Sequence, residues 1–120
     1  MKVAVTSQGP DLAGEVDPRF GRARFFIVVD TDTGEFATHD NTQNLNAVQG
    51  AGIQAAQNVA SLGVGAVITG NVGPKAFTTL RAGNVETYIG ASGSVSDAVE
   101  QLKAGRLECV SKPNVEGDWV

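Results

Sequence analysis

Three arginines lie within six residues of one another, in a segment whose chemistry suits an anion. They are Arg19, Arg22 and Arg24, and an apolar, β-branched stretch follows them. The guanidinium group is always charged and presents a planar fork of N–H donors, which matches an oxyanion or a thioanion. Gly21 lets the backbone turn sharply between them. The same arginines could instead form the solvated rim of an edge strand, and the sequence leaves both interpretations open.

The chain has one histidine and one cysteine, which limits its nucleophilic and metal chemistry. A single cysteine excludes an internal disulfide and any multi-cysteine metal site. His39, in a predicted strand, is either an edge side chain or a metal ligand, and Cys109, beyond the last predicted helix, is either a small apolar filler or a second ligand. The two can share a metal ion only if the end of the chain folds back towards the strand of His39. Because no nucleophile is paired with a base, we expect no enzymatic activity.

Glycine-rich stretches could also contact a ligand, because backbone N–H groups can approach an anion closely there. Gly50-Ala51-Gly52 opens a predicted helix, but no Gly-Lys-Ser/Thr follows it, so it is not a phosphate-binding Walker loop. Similar stretches occupy residues 70–73 and 90–93. At all these places, tight packing of a helix on a sheet is the alternative explanation.

Alternating strands and helices must position these residues. Apolar and β-branched stretches predict strands over 2–6, 25–30, 35–40, 66–69 and 85–89, and helical spacing with capping signals predicts helices over 51–62, over 74–81 and between Ser94 and Gly105. The order βββαβαβα predicts an α/β fold whose five-stranded mixed sheet is flanked by helices. It suggests the ribonuclease H-like architecture, with one domain over residues 1–108 and an irregular tail over 109–120.

Nucleases of that architecture need several carboxylates at the centre of the sheet to hold two Mg²⁺ ions. The first predicted strand reads Lys-Val-Ala-Val-Thr, and the fourth ends with Thr69-Gly70, so the carboxylates are missing. We therefore expect no nuclease activity. Ligands of open α/β sheets usually bind beyond the carboxyl ends of the strands. The loops that begin at Ser7, Gly70 and Gly90 should converge at that edge.

Composition excludes several classes of protein. The chain has 120 residues, which predicts one domain, and a net charge of −4, which argues against a general nucleic-acid binder. No apolar run approaches the length of a membrane span, and the first residues lack the apolar stretch of a signal peptide. We expect a monomeric, cytoplasmic protein that binds neither nucleic acid nor membranes.

Four segments resemble the dinitrogenase iron–molybdenum cofactor biosynthesis family. They are Met1–Ser7, Asp17–Ala23, the stretch from Asn44 to Gly52, and Gly90–Val95. The resemblance covers residues 1 to about 108 and implies a ribonuclease H-like fold without nuclease activity. The family includes carriers and scaffolds for iron–molybdenum cofactor precursors. It also includes a small stand-alone type that holds a molybdenum–copper sulfide cluster without covalent bonds.

The resemblance also implies a set of cluster-binding residues. It assigns Arg19, Gly21, Arg22, Gly50, Ala51, Gly52, Gly90, Ser92 and Gly93, to which the converging loops add Ser7, Gly70 and Asn71, with Phe20 and Asn41 completing the predicted site. The loop before Gly50 lacks the histidine that some relatives carry there, so a metal ligand from the protein is not implied. A cluster whose metals are already bound by sulfide needs only positive charge, N–H donors and an apolar wall.

The sequence therefore predicts a non-enzymatic carrier of an anionic, molybdenum-containing metal–sulfur cluster, either a Mo–Cu sulfide cluster or an Fe–Mo precursor. The alternative is a regulatory or interaction module that binds no cluster and acts through partner ATPases or cofactor-assembly proteins.

Overall fold

A computed structural model describes residues 1–41 and 51–113 of the chain. Six strands and three helices follow one another there: β1 Lys2–Ser7, β2 Phe25–Asp30, β3 Phe36–Asp40, α1 Ala51–Ser61, β4 Ala66–Ile68, α2 Pro74–Ala82, β5 Glu86–Ile89, α3 Val95–Lys103 and β6 Glu108–Cys109. The predicted α/β order of the first eight elements is confirmed. Within these residues, no helix is both long enough and apolar enough to cross a membrane.

The strands form one mixed sheet in the order β3-β2-β1-β4-β5-β6. β1 and β4 are parallel neighbours, as are β4 and β5, and helices make the crossovers that parallel strands require. β2 and β3 extend the other half of the sheet as antiparallel strands. β1 and β4 therefore lie at the centre, with their carboxyl ends side by side.

The prediction of five strands is wrong, because a sixth strand, β6, follows α3. In β6, Cys109 pairs with Tyr88, and the Val110 N–H donates to the carbonyl oxygen of Thr87 at 2.9 Å. The predicted domain boundary after residue 108 falls inside this strand. Two exposed residues carry no alternating apolar pattern, so backbone pairing defines a strand that the sequence does not signal.

Side chains of the sheet alternate between two apolar layers. In β1, Ala4 packs with residues of α1 and α2, whereas Val3 and Val5 pack with residues of α3. All three are completely buried. Because helices cover both faces, β1 reads as a continuous apolar run rather than as alternating apolar and polar residues.

All three helices begin at the carboxyl edge of the sheet. α2 and α3 start soon after β4 and β5 end, and α1 finishes just before β4 starts. The positive ends of the helix dipoles and the N–H groups of the first turns therefore face the same edge. This arrangement favours negative charge there.

A capping box starts α3, as the sequence predicts. Ser94 Oγ accepts from the Asp97 N–H at 3.1 Å, and Asp97 Oδ2 accepts from the Ser94 N–H at 3.0 Å. Both groups are thereby satisfied at the point where the chain leaves β5 and turns into the helix.

We expect Ser94→Ala to lower the free energy of unfolding by about 1 kcal/mol, because the first turn of α3 loses its side-chain cap. Urea denaturation followed by circular dichroism measures the change. Ser96→Ala is the matched control, since Ser96 is exposed and lies two residues further into the same turn. Equal effects of the two substitutions would contradict a role for the capping box.

Candidate anion-binding site at the carboxyl edge of the sheet

Residues 17–22, called here the arginine strap, cross the carboxyl edge of the sheet beside β1. The Thr6 hydroxyl donates to the carbonyl oxygen of Asp17 at 2.7 Å, and the Asp17 N–H donates back to the carbonyl oxygen of Thr6 at 2.9 Å. Thr69, at the end of β4, lies with its hydroxyl oxygen 3.0 Å from that of Thr6. Buried hydrogen bonds thus fix the strap to the end of β1, and Thr6 is bonded in turn to the residue that follows β4.

The loop that follows β4 holds the other side of the strap. Asn71 Nδ2 donates to the carbonyl oxygen of Pro18 at 3.0 Å, and the backbones of Arg19 and Asn71 form a parallel bridge. A Cβ atom on Gly70 would lie 2.7 Å from Pro18 Cα and 2.9 Å from its carbonyl oxygen. Only glycine therefore allows the strap to lie this close to the carboxyl end of β4.

Asp17 orients Arg19 at the outer side of the strap. The Asp17 side chain is 4% exposed, and its Oδ1 accepts from the Arg19 N–H at 2.9 Å. This bond spans two residues and forms the turn that Asp-Pro commonly starts. Arg19 Nε lies 3.8 Å from the same oxygen, while the side chain is 53% exposed. The guanidinium group is therefore held at its base and open to solvent at its far side.

The rest of the strap is anchored from below. Phe20 is completely buried and packs on Phe26 at 5.5 Å between ring centroids, so it supports the strap and leaves no surface for a ligand. Gly21 is buried and Arg22 half-buried. Asn41 is 1% exposed, and its Nδ2 donates to the carbonyl oxygen of Ala23 at 2.8 Å. Asn41 therefore fixes the backbone just after the strap.

The predicted Gly-Ala-Gly element lies only partly within the described residues. Gly50 is outside them, Ala51 is the first residue of α1, and Gly52 is buried in its first turn. Topology places the start of α1 at the same edge as the strap. The structure thus brings Arg19, Arg22, Gly70, Asn71 and this helix end to one edge of the sheet.

The remaining predicted residues lie on the side of α3, and their hydrogen bonds hold loops. Ser7 Oγ donates to the carbonyl oxygen of Gly9 at 2.7 Å and is completely buried. The Gln101 side chain donates to the carbonyl oxygen of Ser92 at 2.9 Å and accepts from its N–H at 3.3 Å. Gly93 accepts from the Val16 N–H at 2.9 Å. These contacts pack the loop against α3 and residue 16, beside the strap.

Gly90 and Gly93 bound that loop with positive φ angles of 90° and 86°. Side chains rarely adopt this conformation, so both glycines are required by the turn itself. Their presence is explained without a ligand, whereas the glycine at position 70 is explained by the close approach of the strap.

His39 and Cys109 lie on the two outer strands of the sheet. His39 is half-buried on β3. It lines a cavity of about 230 Å³ together with Asn58 and with Asn41, the residue that fixes the backbone after the strap. Cys109 is exposed on β6, with Sγ 3.9 Å from Glu86 Oε2. Four strands separate β3 from β6, a distance of roughly 24 Å, so the two side chains cannot bind one metal ion. Among the described residues, no three His, Cys, Asp or Glu side chains are grouped to hold a metal ion.

Sequence reasoning missed Thr6, Asp17 and Thr69, the polar residues that hold the strap. The sequence contains only weak indications of these roles. Thr6 and Thr69 are polar residues at the ends of apolar stretches, and Asp17 stands immediately before a proline, a common start of a turn. Their partners lie far along the chain, so their hydrogen bonds could not be read from local patterns.

Known proteins are similar to this chain in sequence and in fold. The profile of a family described as dinitrogenase iron-molybdenum cofactor matches residues 1–105. The orange protein of Desulfovibrio gigas, solved in its apo form, is 42% identical with a TM-score of 0.91 over 95% of this chain and 96% of that one. A NifB-like protein from Thermotoga is 38% identical with a TM-score of 0.83 over 97% and 98% of the two chains. An uncharacterised protein of Methanocaldococcus jannaschii is 29% identical over 110 residues, 90% of each chain.

We expect Gly70→Ala to destabilise the protein by roughly 1–3 kcal/mol, because the new methyl group forces the strap away from β4. Gly65→Ala is the control at the other end of β4, where a Cβ would meet only the flexible Met1 side chain at 3.4 Å. Urea denaturation compares the two. If Gly70→Ala is as stable as the control, the close approach of Pro18 is not a constraint.

We expect the single tyrosine to ionise late in the folded protein. Burial, with the hydrogen bond that the Tyr88 hydroxyl donates to Glu86, raises the pKa of Tyr88 to about 12. The folded state then keeps a proton that the unfolded state loses above pH 10.0, so this contribution to stability is complete below pH 10.0 and lost as pH rises towards 12. Ultraviolet absorbance of the phenolate gives the titration. Glu86→Gln should lower the pKa, and the distant Glu100→Gln should leave it unchanged; identical curves would refute the assigned cause.

Proposed function

The chain belongs to the dinitrogenase iron-molybdenum cofactor family, and from this membership we propose that it is a non-enzymatic carrier of an anionic, molybdenum-containing metal–sulfur cluster. The cluster is cargo: either an Fe–Mo precursor or a Mo–Cu sulfide cluster. Membership of this family and the similarity of the chain to the orange protein support a role in handling such metal clusters. The ribonuclease H-like architecture, used here without nuclease chemistry, is part of the same proposal.

The observation that carries the proposal is the arginine strap on an acidic protein. The chain has a net charge of −4, yet Arg19 and Arg22 lie on one strap at the edge where the helices begin. Positive charge concentrated on a negative molecule favours a compact anion and disfavours an extended polyanion such as a nucleic acid. The helix dipoles add to the same field.

The donor set of this edge fits a cluster that arrives with its own ligands. Guanidinium groups and backbone N–H groups donate hydrogen bonds to sulfide, whereas a bare metal ion requires thiolate, imidazole or carboxylate groups. The described residues bring no such group of ligands together. A thiomolybdate-type cluster, whose metals are saturated by sulfide, needs none of them.

We assign roles to the residues of this edge. Arg19 and Arg22 neutralise the cluster, while Asn71, Gly21, Gly70 and the first residues of α1 supply donors or allow the backbone to approach it. Asn41 and Phe20 hold the strap from below, and Ser7, Gly90, Ser92 and Gly93 shape the neighbouring loop. Each charge-assisted contact contributes roughly 1.5–3 kcal/mol, so about four of them reach about micromolar affinity after the costs of association.

Release of the cluster to assembly proteins follows from a site without metal–protein bonds. The arginines lie on a partly exposed strap, so an acceptor that supplies thiolate ligands can remove the cluster without breaking a bond to this chain. The similarity to a NifB-like protein supports a place within cofactor-assembly machinery.

We expect Arg19→Gln/Arg22→Gln to weaken retention of the cluster by about a hundredfold, since two charge-assisted contacts are lost. The purified protein is titrated with tetrathiomolybdate and Cu(I), desalted, and examined by visible absorption and metal analysis. Arg24→Gln/Arg106→Gln is the control, with the same change in net charge: Arg24 stacks on Phe25 at 6.0 Å, and Arg106 lies exposed after α3.

Two results separate the site from the function. Equal retention by both double variants would overturn the arginine clamp while leaving the carrier function intact. If the unmodified protein retains neither molybdenum–copper nor iron–molybdenum species, the carrier function fails. The chain would then act as an interaction module through partner ATPases or assembly proteins.

A further inference from the structure

A second cavity lies at the opposite end of the sheet from the arginine strap. It measures about 360 Å³, is open to solvent, and is bounded by the second half of α2, the start of β5, and the residues around the end of β6. This volume is within the range of sites that bind small organic molecules. We propose that this cavity binds a small monocarboxylate with an apolar body, a function separate from cluster binding.

The buried hydroxyl of Thr87 is the first observation in favour of a ligand. Thr87 is 2% exposed and lines the cavity, and its Oγ1 is buried without a hydrogen-bond partner. Thr87 pairs with Val67, whose side chain packs on the α2 side of the sheet, so the Thr87 side chain points to the same side. A buried hydroxyl left unsatisfied is costly, and a ligand oxygen that reaches it would remove that cost.

Arg81 supplies the charge that selects an anion. Its side chain leaves the last turn of α2, and Nη1 donates to the carbonyl oxygen of Ser111 at 3.2 Å. This bond ties the guanidinium group to the segment after β6 and uses one of its five N–H donors. Within residues 1–41 and 51–113 the others make no further hydrogen bond, and a carboxylate can accept two parallel hydrogen bonds from such a group.

The carboxylate of Glu86 does not oppose this charge, because it faces the other side of the sheet. Glu86 Oε2 accepts from the Tyr88 hydroxyl at 3.1 Å and lies 3.9 Å from Cys109 Sγ. Residues 86 and 88 share one face of β5, whereas Thr87 between them occupies the opposite face. Glu86 also lines the cavity, but because its carboxylate is on the other face, Arg81 is the charged group among the lining residues that lies on the same side of the sheet as Thr87.

Apolar walls determine the rest of the ligand. Phe77, Val85 and Val110 line the cavity and belong to the apolar layer beneath α2 or pack against it. An inorganic anion would leave these surfaces wet, whereas an aromatic or branched aliphatic acid covers them. One cation, one hydroxyl and an apolar wall together match a monocarboxylate.

Benzoate is the probe, with neutral benzamide as its uncharged analogue. Titration of the full chain, followed by two-dimensional amide NMR, should show saturable shifts at residues of α2, β5 and 109–111, with benzamide binding weaker by about tenfold or more. Arg81→Gln and Thr87→Val should each weaken benzoate by about tenfold. Arg106→Gln and Thr78→Val, both at exposed positions, serve as controls.

Thr87→Val distinguishes a binding hydroxyl from an incidental one. Replacing an unsatisfied hydroxyl by a methyl group of the same shape should raise the Tm of the free protein, while benzoate loses its stabilising effect on the variant. Unchanged benzoate affinity in both Arg81→Gln and Thr87→Val would overturn the proposal, as would shifts confined to the arginine strap. Retention of the thiomolybdate–copper cluster should be the same in Thr87→Val and in the unmodified protein, which keeps this test independent of the proposed carrier function.

Discussion

The close crossing of residues 17–18 over the ends of β1 and β4 is the constraint on which the candidate site depends. Thr6 makes two hydrogen bonds with Asp17 there, one through its side chain and one through its backbone, and Gly70 leaves the space that Pro18 fills. The polar groups involved are buried, so each must be paired within the protein. The position of Arg19 therefore depends on the hydrogen bonds that Asp17 makes with Thr6, and not on contacts of the Arg19 side chain itself.

This arrangement lowers the conformational entropy that the chain would lose when the positively charged strap binds a ligand. Long arginine side chains lose rotamer entropy when they are fixed on binding. Here the backbone beneath Arg19 is fixed before any ligand arrives, through the Asp17 carboxylate and the bridge to Asn71. Phe20, buried against Phe26, fixes the same segment from the other side. The cost of ordering the site is therefore met largely during folding, which is the physical meaning of preorganisation.

Local patterns were sufficient for the elements and insufficient for the contacts between them. The apolar run of β1, Pro74 at the start of α2 and the capping box at Ser94 could all be read from neighbouring residues. β6 could not, because its pairing with β5 is made by backbone groups of two exposed residues.

The same limit applied to the candidate site. The arginines were visible as a local cluster, but the roles of Thr6 and Thr69 depend on a contact across 63 residues of sequence. Glycines were the least informative signal. Gly93 is required by the positive φ of its turn, whereas Gly70 is required by the close approach of Pro18, which is far along the chain. The sequence alone does not distinguish these two reasons for a glycine.

The buried carboxylate of Asp17 refines the kind of anion that this edge would select. It lies 3.8 Å from Arg19 Nε, so it offsets part of the positive charge on the inner side of the guanidinium group. An anion small enough to reach that inner side would meet the carboxylate as well, and the two negative charges would repel each other. A larger anion, with its charge spread over several sulfide ligands, would contact the exposed outer side of Arg19 and stay further from Asp17. In the proposed carrier, the carboxylate that orients Arg19 would thus also disfavour small, hard anions and favour a larger one.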